Sequence, residues 1–334
     1  LIDLNHRFAL DGNDPNSYGG LLWCMGQFDR PFPPGPVFGK VRQRSARRHA
    51  SRLDVNRYAG WVSRPANGRH LRVAVVGAGL SGLTAARTLQ DQGHEVMLVE
   101  KARGPGGRMS TRRAGEQRFD HGAQYFTARD PRFLRHVLAW QERGLVSQWS
   151  ARIAVIENGQ LRKSTGKEQR FVAVPNMNSI CADMASELAD CQYGWQLESA
   201  RFENQKWLLE NTNGSTLSAD CLLMTAPPQQ TRDLLADYLP ADHDRFPEML
   251  PCWALMLTSD RPLFRDCDAL FVNQGPLSWI ASQASKPERP GFHSWIIHAS
   301  PKWSQEHLED SANEAKNSLL QALKELPGIE KFET

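Results

Sequence analysis

One stretch limits the possible folds of this chain more than any other. Arg72-Val73-Ala74-Val75-Val76 is a short, β-branched apolar run of the kind that forms a strand buried on both faces. Gly77-Ala78-Gly79-Leu80-Ser81-Gly82 follows at once. Leu83 to Gln92 then reads as a helix with Leu83, Ala86 and Leu89 on one face, and Gly93 ends it. Glu95-Val96-Met97-Leu98-Val99-Glu100 is a second strand that ends in an acid. Strand, glycine turn, helix, strand and acid in this order predict a parallel βαβ unit built for a dinucleotide. Gly77 permits the tight turn, Gly79 lets the backbone approach a pyrophosphate, and Gly82 lets helix and strand pack closely. The helix N-terminus offers free N–H groups to phosphates, and Glu100 stands where a carboxylate accepts a ribose hydroxyl.

The next residues bear on which dinucleotide is bound. Lys101-Ala102-Arg103-Gly104-Pro105-Gly106-Gly107-Arg108-Met109-Ser110-Thr111 follows the acid directly, where a plain nicotinamide dehydrogenase would carry another crossover helix. Two glycines and an arginine there suggest a loop lying against a large cofactor, with Arg108 reaching the pyrophosphate or shaping a flavin pocket. A glycine-rich surface turn explains the glycines but not their position. The small residues of Phe119-Asp120-His121-Gly122-Ala123-Gln124-Tyr125-Phe126 would let backbone approach a flat ring.

Together these motifs resemble the flavin-containing amine oxidase superfamily, and within it the renalase-like branch. The resemblance continues through Val174-Pro175-Asn176-Met177-Asn178, Pro251 to Leu257, Pro276 to Ala281, Ser285-Lys286-Pro287 and His298-Ala299-Ser300-Pro301, and spans residues 71–334. It implies bound FAD in an α/β fold: a Rossmann-type FAD-binding domain with a second, α+β substrate domain. By position it assigns Gly77, Gly79, Ser81, Gly82, Glu100, Arg108, Gln124 and Tyr125 to the cofactor. It also implies a closing strand and helix over the flavin beyond the last residue given. The implied activity is hydride transfer from a small reduced substrate to the flavin, with reoxidation by dioxygen to hydrogen peroxide. Dihydro isomers of NAD(P)H are the leading substrate class, and an amine is the alternative.

Residues 1–70 differ in character. They hold Lys40, ten arginines, five aspartates and no glutamate, a net of +6, so the remainder of this +3 chain nets −3. The change falls near Pro65-Ala66-Asn67-Gly68, which reads as a linker. The block Arg42-Gln43-Arg44-Ser45-Ala46-Arg47-Arg48 could meet nucleic acid, although a solvated basic surface explains it as well. The order of residues from Asp11 to Arg42 resembles the C-terminal end of the flavin-binding helical domain of photolyases and cryptochromes. That resemblance places Asp11, Asp14 and Asn16 near a flavin. It implies a short helical or irregular tail of a photolyase-like domain, without the pyrimidine-dimer site. A DNA-binding remnant, or a fragment with an incomplete flavin site, are the other readings of the chain.

The domain organisation expected is therefore a photolyase-like segment at 1–64, a linker at 65–70, an FAD-binding domain at 71–145 and 193–245, and a substrate domain at 146–192 and 246–334. No apolar run approaches the ~18–20 residues of a membrane helix, so no membrane is expected. Six cysteines without a C-x-x-C pair argue against zinc and, with no signal peptide, suit reduced thiols in the cytoplasm. No metal cluster and no Ser/His/Asp order stand out. Ala151–Ile156 and Arg170–Val174 read as strands of a second sheet, and Met177 to Ala189 and Gln305 to Leu326 read as helices. Ten tryptophans are a high count. Trp253, Trp279 and Trp295 lie on separate expected strands and are candidate walls of a substrate pocket, although each alone suits a sheet core. His298 is a candidate substrate or flavin contact, His121 reads as structural, and Lys286 and Arg289 are candidate cations at the pocket mouth.

Overall fold

In the computed structural model the apolar run becomes the strand Arg72–Val76, with every residue after Arg72 buried. The described residues are 70–239, 248–289, 291 and 293–332, together with the short strand Cys24–Met25. Apart from that strand, the photolyase-like reading of 1–64, including Asp11, Asp14 and Asn16, lies outside the described residues.

Arg72–Val76 pairs in parallel with Glu95–Glu100 on one side and Cys221–Met224 on the other. Cys191–Tyr193 adds in parallel beyond Glu95–Glu100, and Cys24–Met25 pairs antiparallel at the opposite edge. A continuously apolar strand needs cover on both faces. Val73, Val75, Val96 and Leu98 share one core with Leu83 and Ala86 of the helix Leu80–Asp91. Ala74, Val76, Met97 and Val99 share another with Trp207 and Leu209 of the antiparallel meander Leu197–Glu203, Lys206–Asn211 and Thr216–Ala219. Successive side chains thus point to opposite layers.

The second sheet runs Ala254–Thr258, Ser294–Ala299, Leu277–Ser282, Ala269–Val272, Ile153–Glu157, Gln160–Lys163. Its pairs are antiparallel except that of Ala269–Val272 with Ile153–Glu157. Ala269, Trp279 and Ala281 face the first core, whereas Leu270, Ile280, Trp295 and Ile297 share a separate core with Leu319 and Leu323 of the helix Ala312–Lys324. The architecture is the expected one, a Rossmann-type α/β domain joined to a second α+β domain.

Four expectations need correction. The single helix expected from Gln305 to Leu326 is two, Pro301–Glu306 and Ala312–Lys324. Ser311 restarts it, its hydroxyl accepting from the Glu314 N–H while the Glu314 carboxylate accepts from the Ser311 N–H. The helix expected at Met177–Ala189 is confined to Ser179–Ser186, where the Ser179 hydroxyl accepts from the Asn176 N–H across the entering turn. Ile153–Glu157 and Phe171–Ala173 do not share a sheet, because Phe171–Ala173 pairs with Val146–Gln148. Cys191–Tyr193, which the boundary at 192/193 would cut, lies wholly in the nucleotide sheet through Cys191 opposite Leu98.

Gly82 is the tightest point of the βαβ unit. A Cβ added there would lie 2.0 Å from the Gly77 carbonyl oxygen. Gly82→Ala must therefore push the helix off the strand, and we expect a loss of about 1–3 kcal/mol in unfolding free energy. Chemical denaturation of the two proteins checks this; an unchanged midpoint would contradict the packing described.

Candidate functional site

The turn between the first strand and helix is shaped by backbone meeting backbone. The Gly77 N–H donates to the Val99 carbonyl at 2.8 Å, and Gly77 holds a φ of +109°, a region that side-chain-bearing residues rarely adopt. The Thr225 hydroxyl donates to the Val76 carbonyl at 2.8 Å and fills the space where a Gly77 side chain would sit. Gly79 is the opposite case. No atom lies within 4 Å of where its Cβ would be, and it caps the helix with no side-chain hydrogen bond. The open space at Gly79 thus adjoins the positive end of the helix, where Ser81 is exposed. Glu100 is held for its role: the Ala78 N–H donates to Oε2 at 2.7 Å and the Ala102 N–H to Oε1 at 2.8 Å. Each oxygen keeps a lone pair for a further donor.

The second glycine turn docks on the first. The Gly106 N–H donates to the Ala78 carbonyl at 2.9 Å, and a Cβ on Gly107 would lie 3.2 Å from the Gly79 Cα. Gly107–Met109 then turns through a short 3-10 helix, with Met109 buried and Arg108 exposed. The Arg108 carbonyl accepts from the Ala123 N–H at 2.9 Å, and a Cβ on Gly122 would lie 2.0 Å from the Arg108 oxygen. The three glycine motifs of the sequence are therefore in direct contact.

Asp120, quoted in the sequence motif but not singled out there, is the centre of this region. Its carboxylate is fully buried. Oδ1 accepts from the Thr111 hydroxyl at 2.6 Å and the Met177 N–H at 3.1 Å. Oδ2 accepts from Lys286 Nζ at 3.1 Å and Arg289 Nη2 at 2.6 Å. Lys286 and Arg289 are thus not cations at a pocket mouth; their side chains are 0% and 1% exposed and bind this carboxylate. Lys286 Nζ also donates to Gln124 Oε1 and Gln283 Oε1, both at 3.2 Å, which uses its three protons. Gln124 donates back to the Asp120 and Gly122 carbonyls, so its side chain is turned into this network and not outward toward a cofactor. Burial alone would raise the Asp120 pKa, but Lys286, Arg289 and the hydrogen bonds from Thr111 and Arg289 hold it at about 2. Burial, helped by Arg289, lowers Lys286 to about 8 against the pull of Asp120.

The candidate tryptophans do not form one wall. Trp279 lies beside Tyr125, Phe271 and Trp149, with ring centroids 5.5, 4.6 and 6.4 Å apart. Its buried Nε1 has no hydrogen-bond partner. Trp295 packs with Phe264 in the core behind the sheet, and Trp253 donates from Nε1 to the His307 carbonyl at 2.9 Å beside the same core. The alternation of strand faces separates Trp295 from Trp279, and Trp253 precedes the strand Ala254–Thr258. Buried His298 is bound through Nε2 to the His121 carbonyl at 2.9 Å. Tyr125 is half-buried, with the Arg170 guanidinium 5.2 Å from its ring centre. Trp149 was missed in the sequence; only its neighbourhood to Tyr125 across the fold gives it meaning. Among the described residues no metal-holding cluster occurs, and no helix is long and apolar enough to cross a membrane.

Comparisons with known proteins agree with this geometry. Residues 75–139 match the family described as NAD(P)-binding Rossmann-like domain. The deoxyribodipyrimidine photo-lyase of Methanothermobacter thermautotrophicus is 38% identical over 55 residues, 16% of this chain and 12% of that protein. The L-amino acid oxidase of Cerastes cerastes is 52% identical over 46 residues, 14% of this chain and 9% of that protein. The chain thus spans only a small part of the length of these curated relatives. A redesigned putrescine oxidase superposes with a TM-score of 0.63 at 14% identity, covering 78% of this chain and 82% of that one, a likeness of fold. Sequence match and superposition together define a Rossmann-type α/β fold.

Removing the Asp120 charge leaves two buried cations without their carboxylate, so Asp120→Asn should cost about 3–5 kcal/mol of stability. The folded-state pKa of Asp120 is depressed to about 2 from 3.8. Its contribution is therefore complete above pH ~4 and disappears as pH falls through about 2. Unfolding of wild type and variant across that range should show the gap narrowing toward acid; a gap independent of pH would contradict the assignment.

Proposed function

We propose that this chain is the core of an FAD-dependent oxidoreductase of the amine-oxidase type. The observation that carries the reading is the docking of Gly106 and Gly107 onto Ala78 and Gly79. A dinucleotide fingerprint followed by a crossover helix suits a nicotinamide cofactor. A second glycine turn laid over the first, with Arg108 at its rim, suits a larger one that runs on toward Gly122 and Tyr125.

The residues fit FAD. The open approach at Gly79 and the uncapped helix end suit a pyrophosphate, the oriented Glu100 suits a ribose, and exposed Arg108 stands beside both glycine turns. When bound, FAD would accept a hydride from a reduced substrate and pass the electrons to dioxygen, giving hydrogen peroxide. The chain's own residues would position the substrate and exclude water. Tyr125, Trp149 and Trp279 offer a flat apolar group with one unused indole donor, suited to a planar substrate. No acid or base in this group calls for a proton-transfer role, which suits hydride transfer governed by alignment.

For the substrate, we infer a dihydro isomer of NAD(P)H, on the aromatic group and on the resemblance of the sequence motifs to the renalase-like branch. Oxidation of an amine is the alternative, favoured by the shared fold with putrescine oxidase and the short match to L-amino acid oxidase. The short match to a photo-lyase favours a further reading, DNA affinity carried by residues 1–64. It predicts salt-sensitive DNA binding that vanishes when those residues are deleted.

FAD titration of the purified chain followed by an absorption spectrum tests the central reading, and anaerobic bleaching by dihydronicotinamide isomers or by amines tests the substrate. Absence of retained flavin in a chain extended past residue 334 would sink it. Gly79→Val gives a sharper check. The space beyond Gly79 accepts a side chain, so thermal stability of the FAD-free protein should hold, while FAD affinity falls at least about tenfold.

A further inference from the structure

The hairpin Arg112–Ala114 and Gln117–Phe119 grows directly out of the second glycine turn. Its register sets Arg113 opposite Arg118. Like charges facing each other across a strand pair are destabilising. Among the described residues no ion pair joins Arg112, Arg113 or Arg118 to a carboxylate. Arg118 Nη1 donates to the Gly115 and Gln117 carbonyls, both at 2.8 Å, which fixes the side chain at the turn without neutralising it. Arg112 and Arg113 are exposed.

The hairpin is rigidly seated. At its base the Thr111 hydroxyl binds the Asp120 carboxylate. Gln117 Oε1 accepts from the Thr258 hydroxyl at 2.7 Å, which ties the hairpin to the edge strand Ala254–Thr258 of the second sheet. Strand alternation gives Arg113 and Arg118 the same face as Thr111 and Asp120. The single negative charge at that base is already set against two buried cations, Lys286 and Arg289. Two arginines at paired positions of one hairpin, with no carboxylate partner among the described residues although Glu116 lies in the turn, offer a receptor for an anion with several oxygens.

We propose that Arg113 and Arg118 receive phosphoryl groups of the substrate and set its specificity for a phosphorylated dinucleotide. This rests on the oxidoreductase reading and names the anchoring chemistry within it. A substrate held by its phosphates on the hairpin, between the glycine turns and the second sheet, would need no cation from Lys286 or Arg289. A nucleic acid would also offer phosphates. It favours an extended basic surface, however, and the chain beyond residue 70 carries a net −3.

The test is calorimetric titration of the FAD-loaded full chain with NADP+, tripolyphosphate and phosphate-free nicotinamide riboside. The double variant Arg113→Gln/Arg118→Gln should bind NADP+ and tripolyphosphate at least about tenfold more weakly, with the riboside unchanged. Arg201→Gln, on the meander, should leave all three unchanged, and Arg113→Lys/Arg118→Lys should recover part of the loss. Equal binding by wild type and double variant, with the flavin spectrum intact, overturns the inference and leaves the oxidoreductase reading standing. A single-stranded oligonucleotide that outcompetes NADP+ for the same arginines also overturns it. If neither the chain nor its extended form holds flavin, the oxidoreductase reading falls, and the tripolyphosphate titration of the FAD-free protein still decides whether the two arginines bind phosphoryl groups.

Discussion

The site depends on one buried carboxylate. Asp120 receives four hydrogen bonds from groups that are far apart in the chain: Thr111 after the glycine turn, Met177 before a helix, and Lys286 and Arg289 beyond the Leu277–Ser282 strand. A carboxylate has about four acceptor sites, and all are used. Taking such a group from water costs several kcal/mol unless charge and donors replace the solvent. Here two cations and two neutral donors do so, and the same bonds tie Met177 and the segment after Leu277–Ser282 to the glycine-rich loop. A one-for-one pairing would have left oxygen lone pairs bare; a fully apolar substitute would have joined the segments without fixing their direction.

Around this anchor the site is assembled from backbone laid on backbone. The Gly77 carbonyl with Gly82 and the Arg108 carbonyl with Gly122 come closer than a methyl group allows, and Gly107 lies tight against Gly79. Such contacts exclude side chains from the floor of the site and leave N–H groups as its chemical surface. That surface suits phosphates and a flat ring, which bind to dipoles and planes more than to side-chain shape. Gly79 is the exception that shows the pattern. Gly107 lies against its Cα, yet no atom stands where its own side chain would go, so the absence of a side chain there serves an approach from outside.

Much of this was legible in the sequence, and the reason differs by element. The βαβ unit was readable because its determinants are local: an apolar run, three glycines and an acid at fixed spacing. Glu100 and the glycine turns lie where that spacing puts them. Lys286 and Arg289 were misread as exposed because burial is a property of the fold, and a charged residue in a loop looks solvated until its partner is known. Asp120 was quoted within its motif yet passed over for the same reason, since its partners lie 57, 166 and 169 residues away. The tryptophans failed differently. Trp279 and Trp295 lie on strands and Trp253 just before one, but a period of two puts neighbours in register on one face only, and register between strands is set by pairing across the sheet. Trp279 pairs opposite His298 and faces the glycine loops, whereas Trp295, opposite Ser282, faces the helix behind. The Ser311 break was a local signal, a serine followed three residues later by Glu314, that the strong helical periodicity on either side obscured.

The buried ion cluster also bears on why the second sheet can serve as one wall of a site. Apolar replacement of a buried salt bridge is often neutral or stabilising, so stability alone is a weak reason for keeping Lys286 and Arg289 inside. Direction is a stronger one. Lys286 reaches Asp120, Gln124 and Gln283 with its three protons, and the Asp120 N–H donates in turn to Gln283 Oε1 at 3.1 Å. A slip of one residue in any contributing segment would strand at least one of these groups without a partner, at a cost of about 1–3 kcal/mol or more for a charge. Apolar packing is far more tolerant of such a slip. The network thus fixes the loop that bears Tyr125 against the strand that bears Trp279, and the two rings meet 5.5 Å apart because polar groups beneath them admit one arrangement.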